Sequence, residues 1–297
     1  MSYGVCLPHY RTVAATDVIV ETARRAEELG FDSVWVTDHV VIPERIAPMF
    51  GEVIYDPFVT LSYVAARTER VRLGTTCIIL PYRNPIAVAK MVSSLDNLSG
   101  GRVIFGVAAG WVEAEFRALG APYQERGAMT DEFLSIILEL WTNPEPRFEG
   151  RHHSFSGIRF QPRPLQKPRP PIWVGGNSRR AIRRAVKFGD CWHPTTWLTL
   201  PDLEEHVTYL REVSATEGRT EPLAVAIRAT LGFEAEAAEE AYSRPLSGTP
   251  KKVAADIQAY QAAGVTDFLF DLAGETKEDL LRIMELFADK VRPLVAY

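Results

Sequence analysis

The chain has 297 residues, of which 46% are hydrophobic and 24% are charged, an ordinary composition for a globular protein. Its net charge of −5 gives no overall attraction for nucleic acid or an anionic membrane, and no apolar run approaches the ~20 residues that cross a bilayer. Cys6, Cys77 and Cys191 are far apart and outside any CxxC pair, so we expect free thiols in a cytoplasmic protein.

Strand-like and helix-like segments alternate along the chain. Short, nearly continuous apolar runs, typical of parallel strands covered on both faces, predict strands at residues 3–7, 33–37, 71–79, 102–108, 171–175, 190–194, 223–230 and 266–271. Helical patterns lie at about 16–29, 57–69, 86–98, 128–141, 179–188, 201–216, 250–263 and 276–289. Eight strand-then-helix repeats predict an α/β fold, a (β/α)8 TIM barrel with insertions, as a single domain over residues 1–297. An open doubly wound sheet is the alternative, but no clear dinucleotide fingerprint accompanies it.

Glycines and long connections punctuate these repeats. Gly30, Gly189 and Gly264 stand between a helical pattern and the next strand, where a left-handed residue commonly ends a helix. Three connections exceed normal loop length, at residues 40–56, 143–170 and 232–249. Connections of that length inside a compact domain are usually functional or mobile, so we treat them as excursions from the barrel.

Polar residues follow the predicted strands at the end that forms the active-site mouth of such a barrel. Asp38 and His39 follow the second strand and are the strongest acid–base candidates, because an imidazole titrates near neutrality. Neighbours on a strand point to opposite faces, so we expect Asp38 to orient or cap and His39 to carry the proton. The alternative is that His39 only caps the strand through the backbone.

The segment "VGGNSRRAI" is the strongest anion-site candidate. A strand, two glycines and Ser178 before a helix leave backbone N–H groups free to face a phosphate. The arginines that follow divide between this site and a solvated helix face, and we assign Arg183 and Arg184 to the solvated face.

The small-residue turn Ala108–Gly110 has room for a flat ring, or is simply a tight turn. His152 and His153 diverge as neighbours and no metal-binding spacing is present, so we predict no metal.

Four stretches resemble the luciferase-like superfamily and, more narrowly, its F420-dependent oxidoreductases. They are "TDHV", "LGTTCIILPYRNP", "GVAAGWVEAEFRALGAPYQERGAMTDE" and "PPIWVGGNSRRAIRRAVKFGDCWHP", in the same order over residues 3–290. The resemblance implies a TIM barrel with insertions that binds coenzyme F420, a deazaflavin with a phosphate. It further implies hydride transfer between C5 of this ring and a small organic substrate, and a homodimer.

The resemblance also assigns roles to residues. His39 would lie beside the ring as local acid or base. A non-proline cis peptide, or a bulge, is expected at Cys77–Ile78 behind the ring. The residues expected to bind the cofactor are His39, Thr76, Cys77, Ile78, Ala108, Ala109, Gly110, Gly175, Gly176, Asn177 and Ser178. The residues expected to line the substrate space are His9, Tyr10, Tyr82, Trp111 and Trp192. Some members place a carboxylate where this chain has Trp111, with Glu113 two residues on, so the partner of His39 in proton transfer stays open.

Two other functions remain open at this point. FMN also carries a phosphate and a flat ring, so an FMN-dependent two-component monooxygenase is the first alternative. A barrel that binds a flavin-like ligand without catalysis is the second, and it belongs to another class of function. Titration with F420 and with FMN separates the two enzyme hypotheses.

Overall fold

The computed structural model describes residues 1–194, 198–233 and 245–295. Its strands are β1 Ser2–Cys6, β2 Ser33–Val36, β3 Arg72–Thr75, β4 Ile78–Ile79, β5 Val103–Ala108, β6 Phe148–Glu149, β7 Ser154–Phe155, β8 Ile172–Gly175, β9 Cys191–His193, β10 Ala224–Phe233, β11 Ser247–Gly248 and β12 Asp267–Leu272. Eight of them close a parallel barrel in the order β1-β2-β3-β5-β8-β9-β10-β12 and back to β1. The predicted (β/α)8 barrel is therefore confirmed, and each predicted strand contributes to it.

Helices surround the barrel. They are α1 Thr16–Glu28, α2 Ala47–Phe50, α3 Pro57–Ala65, α4 Pro85–Leu98, α5 Glu113–Ala118, α6 Arg126–Thr142, α7 Arg179–Phe188, α8 Leu200–Thr216, α9 Pro250–Ala262, α10 Lys277–Leu286 and α11 Arg292–Val295. The eight predicted helices are present, whereas the short α2, α5 and α11 were not predicted. Among the described residues, none of these helices has the length and apolar character needed to cross a membrane.

Alternate side chains of the strands fill the barrel interior. Trp35 of β2 and Trp173 of β8 meet there with ring centroids 4.5 Å apart. Gly4 and Gly74 make room for them, since a Cβ on Gly74 would lie 2.2 Å from Trp35 Cε3. Val34, on the opposite face of β2, packs instead into the large cluster between the strands and the helices. Both faces of each strand are covered, which explains the continuous apolar runs.

Two of the three helix-ending glycines take the predicted conformation. Gly30 has φ +73° and Gly264 has φ +108°, both in the left-handed region. The prediction for Gly189 was wrong, because its φ is −100°. A Cβ there would lie 3.0 Å from the Ala185 carbonyl oxygen and 3.1 Å from Val174, so close packing of α7 on β8 requires this glycine.

The third barrel strand is interrupted at the mouth. A cis peptide bond joins Thr76 to Cys77 between β3 and β4, one bond earlier than the expected Cys77–Ile78. β4 then pairs with β5. Of the long excursions, residues 40–56 contain α2, and residues 143–170 contain the antiparallel pair β6–β7. In the third excursion, residues 234–244 lie outside the described part of the chain.

Candidate active site

The carboxyl ends of the eight barrel strands open at one end of the molecule, because all eight run parallel. His39 lies three residues after β2, and Gly176 follows β8 directly. The acid–base candidate and the anion-site candidate therefore lie at the same mouth, as a single site requires.

A buried carboxylate holds His39. Nδ1 of His39 lies 2.8 Å from Oε2 of Glu115, a residue of α5. The side chain of His39 is 6% exposed and that of Glu115 is 0% exposed. Glu115 also accepts hydrogen bonds from the Val40 and Val41 amides at 2.6 and 3.2 Å and from the Tyr82 hydroxyl at 3.0 Å. Burial acts to raise the pKa of Glu115, but the hydrogen bond and charge of His39, together with the two amides, lower it below its ordinary value.

The ionised state of Glu115 decides which nitrogen of His39 is available for chemistry. An ionised carboxylate only accepts hydrogen bonds, so Nδ1 of His39 must donate to it. Nε2 is then the atom that can take up or release a proton. An imidazole oriented and electrostatically supported by a carboxylate is a general acid–base device.

Asp38, which was expected to orient or cap and not to carry the proton, is not part of this pair. Its buried carboxylate binds the guanidinium group of Arg83 through two hydrogen bonds of 2.6 and 2.8 Å. It also accepts the Ile79 amide at 2.9 Å. Asp38 thus anchors the interrupted third strand, since its side chain and that of His39 point to different sides of the chain.

Two histidines in the barrel are neutral, and both ring nitrogens of each are hydrogen-bonded. His193 Nε2 lies 2.8 Å from the Thr76 hydroxyl and its Nδ1 lies 3.1 Å from the Ala226 carbonyl oxygen. His9 Nε2 accepts the Thr37 amide, and its Nδ1 donates to the Leu7 carbonyl. Burial lowers the pKa of each histidine to about 4. His9, predicted to line the substrate space, is instead buried with both ring nitrogens bound to the backbone.

An ion pair lies under the mouth beside these histidines. Arg228 of β10 donates to both oxygens of Asp271 at 2.7 and 2.8 Å and to the Tyr10 hydroxyl at 3.0 Å. Although burial acts to raise the pKa of Asp271, the guanidinium group of Arg228 holds it below its ordinary value. The pair therefore stays charged on both sides and presents little net charge to a ligand.

The turn from β8 to α7 has the features of an anion cradle. Gly176 has φ +121°, and a Cβ on it would lie 3.0 Å from that of Ala181. Ser178 caps α7 by accepting the Ala181 amide at 3.2 Å. The first amides of a helix, here those of Arg179 and Arg180, have no acceptor within the helix and favour an anion. These residues fit the phosphate of a nucleotide-like cofactor.

The arginines of α7 do not all behave as predicted. Arg183 is exposed, in agreement with a solvated face. Arg184 is buried and pairs with Asp131 of α6 at 2.6 Å, so its assignment to the solvated face was wrong. The neighbouring helix provides a carboxylate that the local pattern of α7 does not reveal.

The residues expected behind a flat ring lie together at the ends of β4 and β5. Cys77 packs with Ala108 in a small cluster, and burial raises the pKa of its thiol to about 12. Gly110 has φ +82°, and a Cβ there would lie 2.6 Å from Ile79. Ala109 is half-buried next to it. The Ile78 side chain belongs to the core between strands and helices, so only its backbone can face the mouth.

The aromatic residues expected to line the substrate space are divided by the structure. Tyr10 and Tyr82 join the polar networks of Arg228 and Glu115, and Trp111 is exposed. Trp192 is fully buried outside the barrel, where it stacks on His206 of α8 and donates to the Gly176 carbonyl oxygen. Its predicted position at the substrate was wrong, because alternate residues of β9 face opposite sides of the barrel wall.

Comparison with known proteins places this barrel among oxidoreductases and monooxygenases. An uncharacterized protein of Mycobacterium tuberculosis is 31% identical over 257 residues, which are 80% of this chain and 89% of that protein. An F420-dependent glucose-6-phosphate dehydrogenase of Kineococcus radiotolerans is 29% identical over 93% of this chain and 92% of its own. An FMNH(2)-dependent dimethylsulfone monooxygenase of Pseudomonas putida is 29% identical over 72% of this chain and 58% of its own.

The family follows from a direct match. The model for luciferase-like monooxygenases matches residues 1–276, and the chain belongs to that family. Among solved structures, the monooxygenase RslO1 from Streptomyces bottropensis superposes with a TM-score of 0.86 over the whole of both chains, at 22% identity. That likeness concerns the fold. The relatives include F420-dependent and FMN-dependent enzymes, so membership of the family alone does not identify the cofactor.

Proposed function

We propose that this protein is an F420-dependent oxidoreductase that transfers a hydride between C5 of the deazaflavin and a small organic substrate. The observation that carries the proposal is the buried His39–Glu115 pair at the mouth. Hydride transfer between an alcohol and a carbonyl compound requires that a proton leave or join the substrate oxygen, and this pair provides a group for that proton.

The chain's own residues have distinct tasks. His39 Nε2 takes the proton from a substrate hydroxyl, or returns it, while Glu115 stabilises the protonated imidazole. Gly175–Ser178 and the first amides of α7 hold the cofactor phosphate, and the turn Ala108–Gly110 leaves space for its ring. When bound, F420 supplies a carbon centre that accepts or delivers a hydride and reacts poorly with oxygen.

An FMN-dependent monooxygenase is the second candidate. It is favoured by the Pseudomonas putida relative, whose identity to this chain equals that of the F420-dependent enzyme from Kineococcus radiotolerans. The F420-dependent relative is matched over nearly its whole length, which favours the first candidate. Neither candidate changes the assignment of the phosphate cradle.

The deciding experiment is a binding titration of the purified protein with F420 and with FMN, each followed by cofactor fluorescence. We expect F420 to bind at least about tenfold more tightly, a difference of about 1.4 kcal/mol. Tight binding of FMN without affinity for F420 would refute the proposal. In His39→Ala, F420 affinity should stay within a few fold while hydride transfer slows by about 10²–10⁴-fold. Unchanged turnover would remove His39 from the mechanism.

A further inference from the structure

Two side-chain rings outside the barrel bind the turn from β8 to α7, where the proposed phosphate cradle lies. Trp192 Nε1 donates to the Gly176 carbonyl oxygen at 2.9 Å, and His206 Nε2 lies 2.9 Å from the Asn177 carbonyl oxygen. The Gly176 amide in turn donates to the His193 carbonyl oxygen at 3.1 Å. β9 and α8 therefore fix two successive carbonyl groups of this turn.

The bound carbonyl group of Asn177 sets the direction of the next amide. The peptide bond to Ser178 is trans, and within a trans peptide unit the C=O and N–H bonds point in opposite directions. Because the Asn177 oxygen points toward His206, the N–H of Ser178 points away from α8. His206 thus orients an amide at the beginning of α7, where an anion is favoured.

Both ring nitrogens of His206 face oxygens that only accept hydrogen bonds. Nε2 faces the Asn177 carbonyl oxygen, and Nδ1 lies 2.6 Å from the carbonyl oxygen of Asp202, one turn earlier in α8. A neutral imidazole has one N–H and one lone pair, so one of its nitrogens would direct a lone pair at an oxygen. The imidazolium form donates from both nitrogens. The geometry therefore selects the positively charged form of His206.

A comparison with His193 and the contact with Trp192 support this assignment. One nitrogen of His193 faces the Thr76 hydroxyl, which can donate as well as accept, so a neutral ring satisfies both contacts of His193. His206 instead stacks on Trp192, with 5.8 Å between the ring centroids and 4° between the ring planes. The face of an indole attracts a cation at this range. His206 is half-buried, so its ring can exchange a proton with solvent.

Charged side chains on the neighbouring elements also act on His206. Among the residues that the structure describes, Asp202 lies one turn before it on α8 and Glu205 directly precedes it, and both are exposed. From α7, the guanidinium group of Arg179 lies 4.9 Å from the ring centroid of Tyr209, which follows His206 by one turn. The two carboxylates favour a charge on His206 and the guanidinium group opposes it. A bound phosphate adds negative charge and strengthens proton binding, so by linkage protonation strengthens phosphate binding.

We infer that His206 is a positioning residue of the phosphate cradle, and that its protonated form makes the affinity for the cofactor fall as the pH rises. This inference rests on the proposed function, because it concerns regulation of the site assigned there to the cofactor phosphate. When His206 loses its proton, it can no longer donate to both Asn177 and Asp202, and the positive charge beside the anion disappears. Both changes weaken binding. F420 and FMN both carry the phosphate, so the effect does not depend on which ring the barrel accepts.

The test is the dissociation constant of F420 at about pH 6 and about pH 8.5, on either side of ordinary histidine titration, measured by calorimetry at constant ionic strength. We expect the wild-type constant to rise by about 3–10-fold, as two charges near a protein surface predict. His206→Gln keeps a donor for Asn177 but has no charge, so it should bind weakly at both pH values. His206→Lys stays charged at both and should bind tightly at both. His152→Gln, in the turn between β6 and β7, is the matched control and should keep the wild-type pH dependence.

The possible results separate this inference from the proposed function. Equal pH dependence in the wild-type protein and His206→Gln overturns the inference, as does loss of the dependence in His152→Gln. Binding of F420 to His206→Lys that is as weak as to His206→Gln at both pH values overturns the role of the charge. Binding of FMN without affinity for F420 overturns the proposed cofactor, and the same variants titrated with FMN then test His206.

A measurement without cofactor covers the case in which neither compound binds. Nitrogen NMR spectra of the free protein count the hydrogens on the His206 ring, whose signals are identified by their absence in His206→Gln. Hydrogens on both ring nitrogens at about pH 6 support the inference, and a single hydrogen overturns it. Failure of both cofactors to bind overturns the proposed function independently of that result.

Discussion

Glu115 Oε2 lies 2.8 Å from His39 Nδ1, although 76 residues separate the two in the chain. The histidine follows β2, whereas the carboxylate comes from a short helix after β5. Strands β2 and β5 are not adjacent in the barrel, because β3 lies between them. Closure of the barrel and the folding of its loops therefore create the acid–base pair.

Glu115→Gln tests this relationship. Glutamine keeps an acceptor for the Val40 and Val41 amides but removes the negative charge that supports a protonated His39. We expect turnover to fall by about 10²-fold or more. Glu113→Gln, on the same helix but exposed, is the matched control. Identical kinetics of the two variants would contradict the role assigned to Glu115.

Arg83→Met tests the ion pair that anchors the third strand. It leaves the buried carboxylate of Asp38 without its partner, so we expect the free energy of unfolding to fall by about 3–5 kcal/mol in urea denaturation. Arg83 also pairs with the exposed Asp56 at 3.2 Å. Asp56→Asn keeps the helix cap on Phe58 and Val59 and should cost less than about 1 kcal/mol. Comparable losses of unfolding free energy in the two variants would show that the buried charge of Asp38 does not cause the destabilisation of Arg83→Met.

Gly176→Ala tests the phosphate cradle. Alanine at φ +121° is strained and brings its Cβ to 3.0 Å from that of Ala181, so we expect a loss of about 1–3 kcal/mol in stability. Displacement of the adjacent amides should also weaken cofactor binding by about tenfold or more. Gly157→Ala is the control, because Gly157 has φ +66° with nothing within 4 Å of a Cβ. That variant should lose stability but keep full cofactor affinity, and equal affinity of both variants would argue against a cradle at Gly176.

The buried histidines predict how stability depends on pH. Burial lowers the pKa of His9 and His193 from 6.5 to about 4, so between these pH values the unfolded chain binds more protons than the folded protein. Their neutral forms are therefore fully compatible with folding above pH 6.5, and stability falls as the pH falls below it. Between pH 6.5 and 5 we expect a loss of about 1.6 kcal/mol for each histidine.

Chemical denaturation at several pH values measures this effect. His193→Gln removes one of the two titrating groups and should reduce the slope of unfolding free energy against pH by about half. The comparison is between slopes, because the variant also loses hydrogen bonds of His193 and is less stable at every pH. A flat profile in the wild-type protein, or an unchanged slope in the variant, would contradict the prediction.

Much of the fold was predictable because burial leaves a local pattern. The helix predicted at 179–188 is α7, Arg179–Phe188, and the run at 33–37 is β2, Ser33–Val36. Alternation of continuous apolar runs with helical spacing follows from strands covered on both faces. The short helix α5 was missed because six residues contain too few turns for a periodic signal.

The site was predictable in part, since strand ends could be located from the same pattern. His39 and the turn Gly175–Ser178 were placed at the mouth by their positions after apolar runs. The partner of His39 was not predictable, because the local signal for Glu115 is no more than a carboxylate next to the apolar Phe116. The burial of Arg184 depends on Asp131 of α6, and the outward position of Trp192 depends on the register of a three-residue strand.

The amino-acid sequence by itself determined the eightfold alternation of strand and helix, and with it the end of the barrel where polar residues gather. It did so because backbone hydrogen bonding and side-chain burial repeat over a few residues. Only the tertiary structure decided that His39 pairs with Glu115, that Asp38 pairs with Arg83 and that His206 binds the turn after β8. Those contacts join distant segments, and their geometry exists only once the barrel has closed and its loops have packed across the mouth.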